Sequence, residues 1–314
     1  MDVMELLTST LIQGLIYALI SYGVYITYSI LDFPDLGVDG TFPLGAAVTA
    51  VLMTRGVNAW LTLPISLVVG GLAGLFTGVV HVKLKVRNLL AGIITMTSLF
   101  SVNLQIAGSN LNIDRSIATI FTSAPVMALF GDLSLSGRKL IVSLALVIVV
   151  KLLLDAYFHT KSGLLLRAVG DNATLVTTLA KDRGTVKILG LVISNALVAF
   201  GGCIVCHETR SFSATMGTGQ LVYGLAAVII GVSLMHFYAS TRLARGLRKS
   251  RALRFLGSPQ GTTAVVLGSV LYKLCIQVAM SMGLPTNMMK LITAALFLLV
   301  LVLSGRKGEA IIHA

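Results

Sequence analysis

Few side chains in this chain are placed to do chemistry. Lys273 falls near the middle of an apolar stretch, Thr262–Met282, with Gln277 one turn on. A lysine at that depth is costly, so it reads as an intramembrane charge with a functional or pairing role, or as a side chain snorkelling from a tilted helix. Asp32, Asp35 and Asp39 crowd LDFPDLGVDG, where carboxylates could serve an ion- or proton-coupled carrier. Cys203-Ile204-Val205-Cys206-His207 spells the c-type haem attachment pattern, but at the end of an apolar helix it reads as helix packing. His207-Glu208 opens a zincin-like pattern that fails at Ser211, so no metal motif is present. No GxxxxGK[ST] run occurs, and no Ser/His/Asp set is recognisable. The chemistry excluded is therefore enzymatic: neither a catalytic set nor a cofactor of its own is expected.

The polar interval TKSGLLLRAVGDNATLVTTLAKDRGTVKI, Thr160–Ile188, offers contacts of another kind. Lys161, Arg167, Lys181, Arg183 and Lys187 face only Asp171 and Asp182, and such an excess on a loop between spans predicts a cytoplasmic loop. Asp171, Asn172 or Thr174 could cap a short helix from about Ala173. A short helix across the inner surface is a handle for a soluble partner; an ordinary solvated loop is the other reading.

The elements that must position these groups are membrane spans. The chain has 314 residues, 56% hydrophobic and 11% charged, with a mean hydropathy of +0.92. Continuous apolar runs of about 20 residues span a bilayer as helices. The segments are Leu6–Ile30, Thr41–Met53, Leu61–Val82, Leu89–Ala107, Lys139–Phe158, Ile188–Val205, Gln220–Tyr238, Thr262–Met282 and Met288–Ser304. They predict an all-α integral membrane protein, a polytopic bundle of about 8–9 transmembrane helices, forming one domain over residues 1–314. Thr41–Met53 is short and follows a Gly- and Pro-broken stretch, so a broken or re-entrant helix is expected near 36–54. Re-entry gives eight spans and an inside N-terminus; crossing gives nine and an outside one.

The net charge of +12 does not indicate nucleic acid, because 16 of the 24 Lys and Arg sit in four stretches: 83–87, 161–187, 242–254 and 306–307. All four fall on one side by this topology, the positive-inside pattern of a multi-pass protein of the bacterial cytoplasmic membrane with its C-terminus inside. The N-terminus carries no Lys, Arg or small-residue cleavage site, so no removable signal peptide is expected. Three cysteines imply no disulfide framework.

Gly70, Gly74 and Gly78 form overlapping GxxxG steps that permit close helix approach, within the subunit or to a second copy. Asn103, Gln105, Ser194 and Asn195 read as helix-to-helix hydrogen-bonding groups. GTFPLGAAV (Gly40–Val48) echoes GQLVYGLAAV (Gly219–Val228), as in transporters built from two related halves.

SYGVYITYSILDFPDLGVDGTFPLGAAVTA (Ser21–Ala50), RAVGDNATLVTTLAKDRGTVKILGLVISNALVAFGG (Arg167–Gly202), MGTGQLVYGLAAVIIG (Met216–Gly231) and GSVLYKLCIQVAMSMGLPTNMMKLITAALFLLVLVL (Gly268–Leu303) carry a resemblance. Together they resemble permease subunits of ATP-binding-cassette importers, in the branched-chain amino acid and ribose permease superfamily. DFPDLxVDG and KLITA are similar to a subfamily linked to aromatic amino acid import. The resemblance implies a pair of permease subunits, two cytoplasmic ATPase subunits that bind ATP-Mg, and an extracytoplasmic substrate-binding protein. It implies that residues 159–187 are the coupling loop, with Arg167, Gly170, Asp171, Asn172 and Thr174 at the ATPase surface. The expected path runs at the subunit interface along Gly40–Val48 and Met216–Val228, with Phe42, Met216 and Tyr223 as gate or wall residues. CIVCHETRSFSA (Cys203–Ala214) and the basic stretch 236–254 depart from the family pattern. An ion- or proton-coupled secondary transporter is the alternative reading.

Overall fold

In hydrocarbon each backbone N–H and C=O must find a partner within its own segment, so uninterrupted apolar runs become helices. The computed structural model describes residues 3–171, 182–240, 261–281, 288, 291–299 and 302. Helix α1 (Val3–Val24) continues as a π-helical turn, Tyr25–Ile30. Then follow α2 (Val38–Thr54), α3 (Ala59–Val82), α4 (Asn88–Ala107), strand β1 (Asn110–Asn112) and α5 (Ala124–Phe130). The second half holds α6 (Leu135–Phe158), α7 (Lys161–Asp171), α8 (Arg183–Thr209), β2 (Ser211–Ser213), α9 (Gln220–Ser240) and α10 (Gly261–Ser281), with further helical residues at 291–299.

Among the described residues, six helices are long and apolar enough to cross a membrane, and α2 and Gln220–Met235 are shorter apolar helices. The all-helical membrane class expected from the sequence is therefore observed. The breaks also fall where expected, between Leu31 and Gly37 and just before α9.

Most of α1 and α8 is buried, whereas α4 and α6 turn most of their length outward. On α6, Leu144, Val149, Leu152 and Leu153 are exposed while Val142, Val147, Val150 and Leu154 are buried, a lipid face opposite a packed face. Because lipid is as apolar as leucine, packing and hydrogen bonds must hold such helices together. Gly70, Gly74 and Gly78 of α3 lie directly against α8, where an added Cβ on Gly74 would fall 2.8 Å from the Val192 Cα. Of the two uses open to this ridge, the structure shows packing within the subunit.

Polar bonds between helices supplement the packing. Ser194 Oγ donates to the Gly23 carbonyl at 2.8 Å, joining α8 to α1. Asp155, paired with Lys151 at 2.7 Å, accepts from Thr262 Oγ1 at 2.6 Å and ties α6 to α10. At the end of the bundle away from the basic loops, β1 and β2 pair antiparallel with Leu111 opposite Phe212. Lys139 bonds Glu208 at 2.8 Å near the same end.

Candidate functional site

The two helix breaks meet inside the bundle, and one carboxylate joins them. After the π turn the chain leaves helical geometry at Asp32, whose φ of 50° lies in the left-handed region that Asp tolerates. Asp35 is fully buried. Its Oδ1 accepts from the Gly37 N–H at 2.8 Å, and its Oδ2 accepts from Asn195 Nδ2 at 2.8 Å. Asn195 Oδ1 in turn accepts from Thr41 Oγ1 at 2.8 Å. This relay seats the start of α2 midway along α8, which runs from Arg183 to Thr209.

The second break is the stretch 214–219. Gly219 has a φ of +87°, and Gly217 lies so close to the Asp39 carbonyl and Pro43 that no larger residue fits. Asp39, in the first turn of α2, accepts from the Gly219 N–H at 3.0 Å and from the Leu221 N–H at 2.8 Å. Those are donors that a helix start leaves without partners, and a carboxylate is also favoured there by the helix dipole. Asp39 therefore caps α9 from the beginning of α2. Asn103 Nδ2 donates to the Gly40 carbonyl at 3.1 Å and fixes the same turn to α4.

Two cavities flank this junction and share Thr218. The first, about 270 Å³, is lined by Asp39, Gly40, Pro43, Met96, Phe100 and Asn103 among others. The second, about 300 Å³, is lined by Tyr17, Gly219, Gln220, Tyr223, Lys273 and Ile276 among others. Lys273 Nζ stands 3.7 Å from the centroid of the Tyr17 ring and 5.4 Å from that of Tyr223, a cation–π arrangement worth about 2 kcal/mol when desolvated. Its hydrogen-bond partner is Gln13 Oε1 at 3.5 Å. The Tyr17 and Tyr223 rings meet at 4.9 Å, and Tyr223 and Tyr272 at 5.1 Å. The Tyr223 hydroxyl bonds the Ser269 hydroxyl at 2.9 Å, and the Tyr272 hydroxyl donates to the Thr293 carbonyl at 3.0 Å. The aromatic walls are thus held by their own polar tips. No carboxylate lines this second cavity among the described residues.

The residues singled out from sequence separate accordingly. Tyr223 and Lys273 come together in one cavity. Phe42 is fully buried, with its ring 6.3 Å from that of Tyr17, and lines neither cavity. Met216 packs beside the small buried group that includes Ala46, Ala47, Ala50, Met53 and Phe212. Asn103, Ser194 and Asn195 bond between elements as expected, whereas Gln105 is exposed. The haem-like pattern is packing: Cys203 and Cys206 are buried, and His207 Nε2 bonds Thr62 Oγ1 at 2.9 Å. Both thiols lie inside the helix packing of α8.

At the basic end, α7 places Gly163, Leu166 and Val169 against the bundle and leaves Lys161, Leu164 and Arg167 exposed. The Arg167 guanidinium stands 4.9 Å from the Phe158 ring centroid. Gly170 abuts the Ile30 carbonyl, so α7 rests directly on the end of the π turn. Asp171 ends α7; Asn172 and Thr174 lie outside the described residues. The return into α8 is capped by Asp182, which accepts from the Gly184 N–H at 2.9 Å and from Thr185 Oγ1 at 2.6 Å. Those bonds, the Thr185 hydroxyl foremost, hold the Asp182 carboxyl below the usual carboxylate range.

Sequence reasoning missed Tyr17, Tyr272 and Gln13 as neighbours of Lys273, and Asp39 as the cap of α9. The signal for Tyr17 was an aromatic residue on α1, but nothing in one sequence registers α1 against α10.

Comparison with known proteins agrees with this architecture. The family model described as branched-chain amino acid transport system / permease component matches residues 6–301. A tyrosine transport system permease protein of Clostridioides difficile is 36% identical over 286 residues, 91% of this chain and 87% of that protein. The probable branched-chain amino acid transport permease protein of Methanocaldococcus jannaschii is 26% identical over 274 residues, 85% of this chain and 86% of the relative. The ribose import permease protein of Escherichia coli K12 is 29% identical over 202 residues, 63% of this chain and 60% of the relative. No solved structure matches the chain. With nearly the whole length matched by one family, this multi-pass membrane protein belongs to the branched-chain amino acid transport system permease family, the non-catalytic membrane subunits of ATP-binding-cassette importers.

Proposed function

We propose that the chain forms the translocation path of an importer for an amino acid with an aromatic side chain. The observation that carries this reading is the 36% identity, over 91% of the chain, to a tyrosine transport permease. In this reading residues 1–314 are one permease domain, with residues 159–187 as its coupling element. Two copies of the chain pair in the bacterial inner membrane, two cytoplasmic ATPase subunits hold ATP-Mg, and a substrate-binding protein delivers the solute from outside. The C-terminus lies in the cytoplasm with the basic loops.

Nine crossings fit the geometry best, because α2 begins beside Asn195 and ends with Met53 packed near Phe212 of β2. In this reading the segment is a crossing made of a short irregular stretch, residues 31–37, followed by the 17-residue α2, rather than a return to the starting side. In this reading the N-terminus lies outside. The path runs along Gly40–Val48 and Met216–Val228, with Tyr223, Met216 and Phe42 as wall or gate groups.

The exposed face of α7 supports its role as the ATPase contact: Leu164 is 56% exposed between Lys161 and Arg167, a leucine with basic neighbours that an acidic-rimmed groove would cover. Breaking one side of a desolvated ion pair typically costs about 3–5 kcal/mol, so Arg167→Glu is expected to abolish coupled uptake. Wild-type assembly and transport by that variant would remove α7 from the interface. The substrate class is tested by purifying the cognate binding protein and identifying its ligand by mass spectrometry. An aromatic amino acid is expected; a sugar or nucleoside would overturn the assignment.

A further inference from the structure

The second cavity is lined by a cation, and among the described residues no carboxylate lines that cavity. Lys273 sits in the middle of an apolar helix, where a charge is retained only if something answers it. Three acids of the bundle are answered from within. Asp35 is bonded by Gly37 and Asn195, and Asp39 by the start of α9. Glu208, the acid near the end of α8, is held by Lys139 at 2.8 Å. Among the described residues Lys273 is met by the faces of two tyrosines and an amide oxygen at 3.5 Å, and the carboxylate that acts on it from a distance, Glu208, is already paired with Lys139. Both kinds of partner solvate an ammonium without cancelling its charge, and both leave its N–H groups free to turn toward the cavity.

The α9 N-terminus is not a competing anion site, because Asp39 already occupies it. A carboxylate entering this space would therefore meet Lys273, while Tyr17, Tyr223 and Ile276 would meet an apolar or aromatic body. The volume, about 300 Å³, is at the lower end of small-molecule sites, roughly 300–1,000 Å³. It suits one amino acid and not a large ligand.

We propose that Lys273, with Tyr17 and Tyr223, forms a transit site that receives the carboxylate of the amino acid during import, Lys273 Nζ donating to a carboxylate oxygen while the side chain of the substrate lies on the tyrosine rings. This rests on the amino acid reading given above and deepens it by naming the contact. Because the same ammonium returns to the Tyr17 face when the substrate leaves, the site holds its ligand weakly, as a path fed by a separate binding protein requires.

The test uses the intact importer, permease with ATPase and binding protein, in lipid nanodiscs and proteoliposomes. Acylation of Lys273 by an amine-reactive reagent is followed by peptide mass spectrometry with tyrosine, with tyramine, which lacks the carboxylate, or with added phosphatidylglycerol. Tyrosine at millimolar concentration is expected to slow acylation of Lys273 at least threefold, and tyramine not to. In proteoliposomes, Lys273→Met is expected to lower tyrosine uptake at least tenfold and Lys273→Arg to retain most of it. Equal protection by tyrosine and tyramine, protection by the anionic lipid alone, no acylation in any state, or wild-type uptake by Lys273→Met would each overturn the carboxylate contact. Absence of amino acid uptake by the unaltered importer would instead overturn the amino acid reading itself, so the two failures are distinct.

Discussion

Asp39 and Lys273 are charged side chains inside the same bundle, on either side of Gly219, and they are satisfied in opposite ways. Asp39 accepts two backbone N–H groups of α9 at 3.0 and 2.8 Å. Lys273 faces two aromatic rings and borders a cavity of about 300 Å³. A charge whose partners are backbone groups of its own fold is a joint; removing it strands those groups. A charge whose partners are polarisable surfaces beside a space is available to something that comes and goes. Under the proposed transit site, the difference separates structure from function at two positions that composition alone would treat alike.

The comparison can be broken most directly at Asp39. Bonds to a charged acceptor are worth roughly 1.5–3 kcal/mol each, so Asp39→Ala, which strands the Gly219 and Leu221 N–H groups, is expected to cost about 3–5 kcal/mol. The reading is a large loss of thermal stability in detergent, and a variant as stable as the parent would mean that Asp39 is no joint. Gly74→Leu comes next, since its side chain would press on the α8 backbone; forcing bulk into a packed seam costs on the order of 3 kcal/mol, visible in the same melt. A smaller effect is expected for Ser194→Ala, which removes one interhelical bond of 2.8 Å; such bonds average about 0.6 kcal/mol in a membrane bundle. Little or no loss of stability is expected for Lys273→Met. Replacing an internal charge by an apolar side chain of similar volume is commonly neutral or stabilising, so the melt should move by less than about 1 kcal/mol while tyrosine uptake collapses. A melt as damaged as that of Asp39→Ala would place both charges in the same structural class.

The helices were legible because each is an uninterrupted apolar run, and hydrocarbon forces such a run to close its own hydrogen bonds. The break before α2 was legible in Pro34 and Gly37, residues that mark where a helix does not continue. The asparagines and the serine of the core were legible as polar groups on apolar faces, which need a partner on another helix. Partners far apart in the chain were not. Asp39 and Leu221 are 182 residues apart and Lys273 and Gln13 are 260 apart, and periodicity within one helix carries no information about which face meets which neighbour. The CIVCH pattern was legible as packing rather than haem attachment, because a spacing of three and four residues is equally the spacing of one buried helix face. The Gly70, Gly74 and Gly78 ridge could not say whether its partner was α8 or a second copy, since either backbone satisfies the same small residues.

Transport by the reconstituted complex tests the central claim most directly. The permease, its ATPase and its binding protein are sealed in proteoliposomes, and entry of radiolabelled tyrosine is followed with ATP, with a non-hydrolysable ATP analogue, and with a proton or sodium gradient alone. An ATP-driven importer of aromatic amino acids predicts accumulation that requires hydrolysable ATP and survives collapse of both gradients. Accumulation that follows an ion gradient and ignores ATP would contradict it.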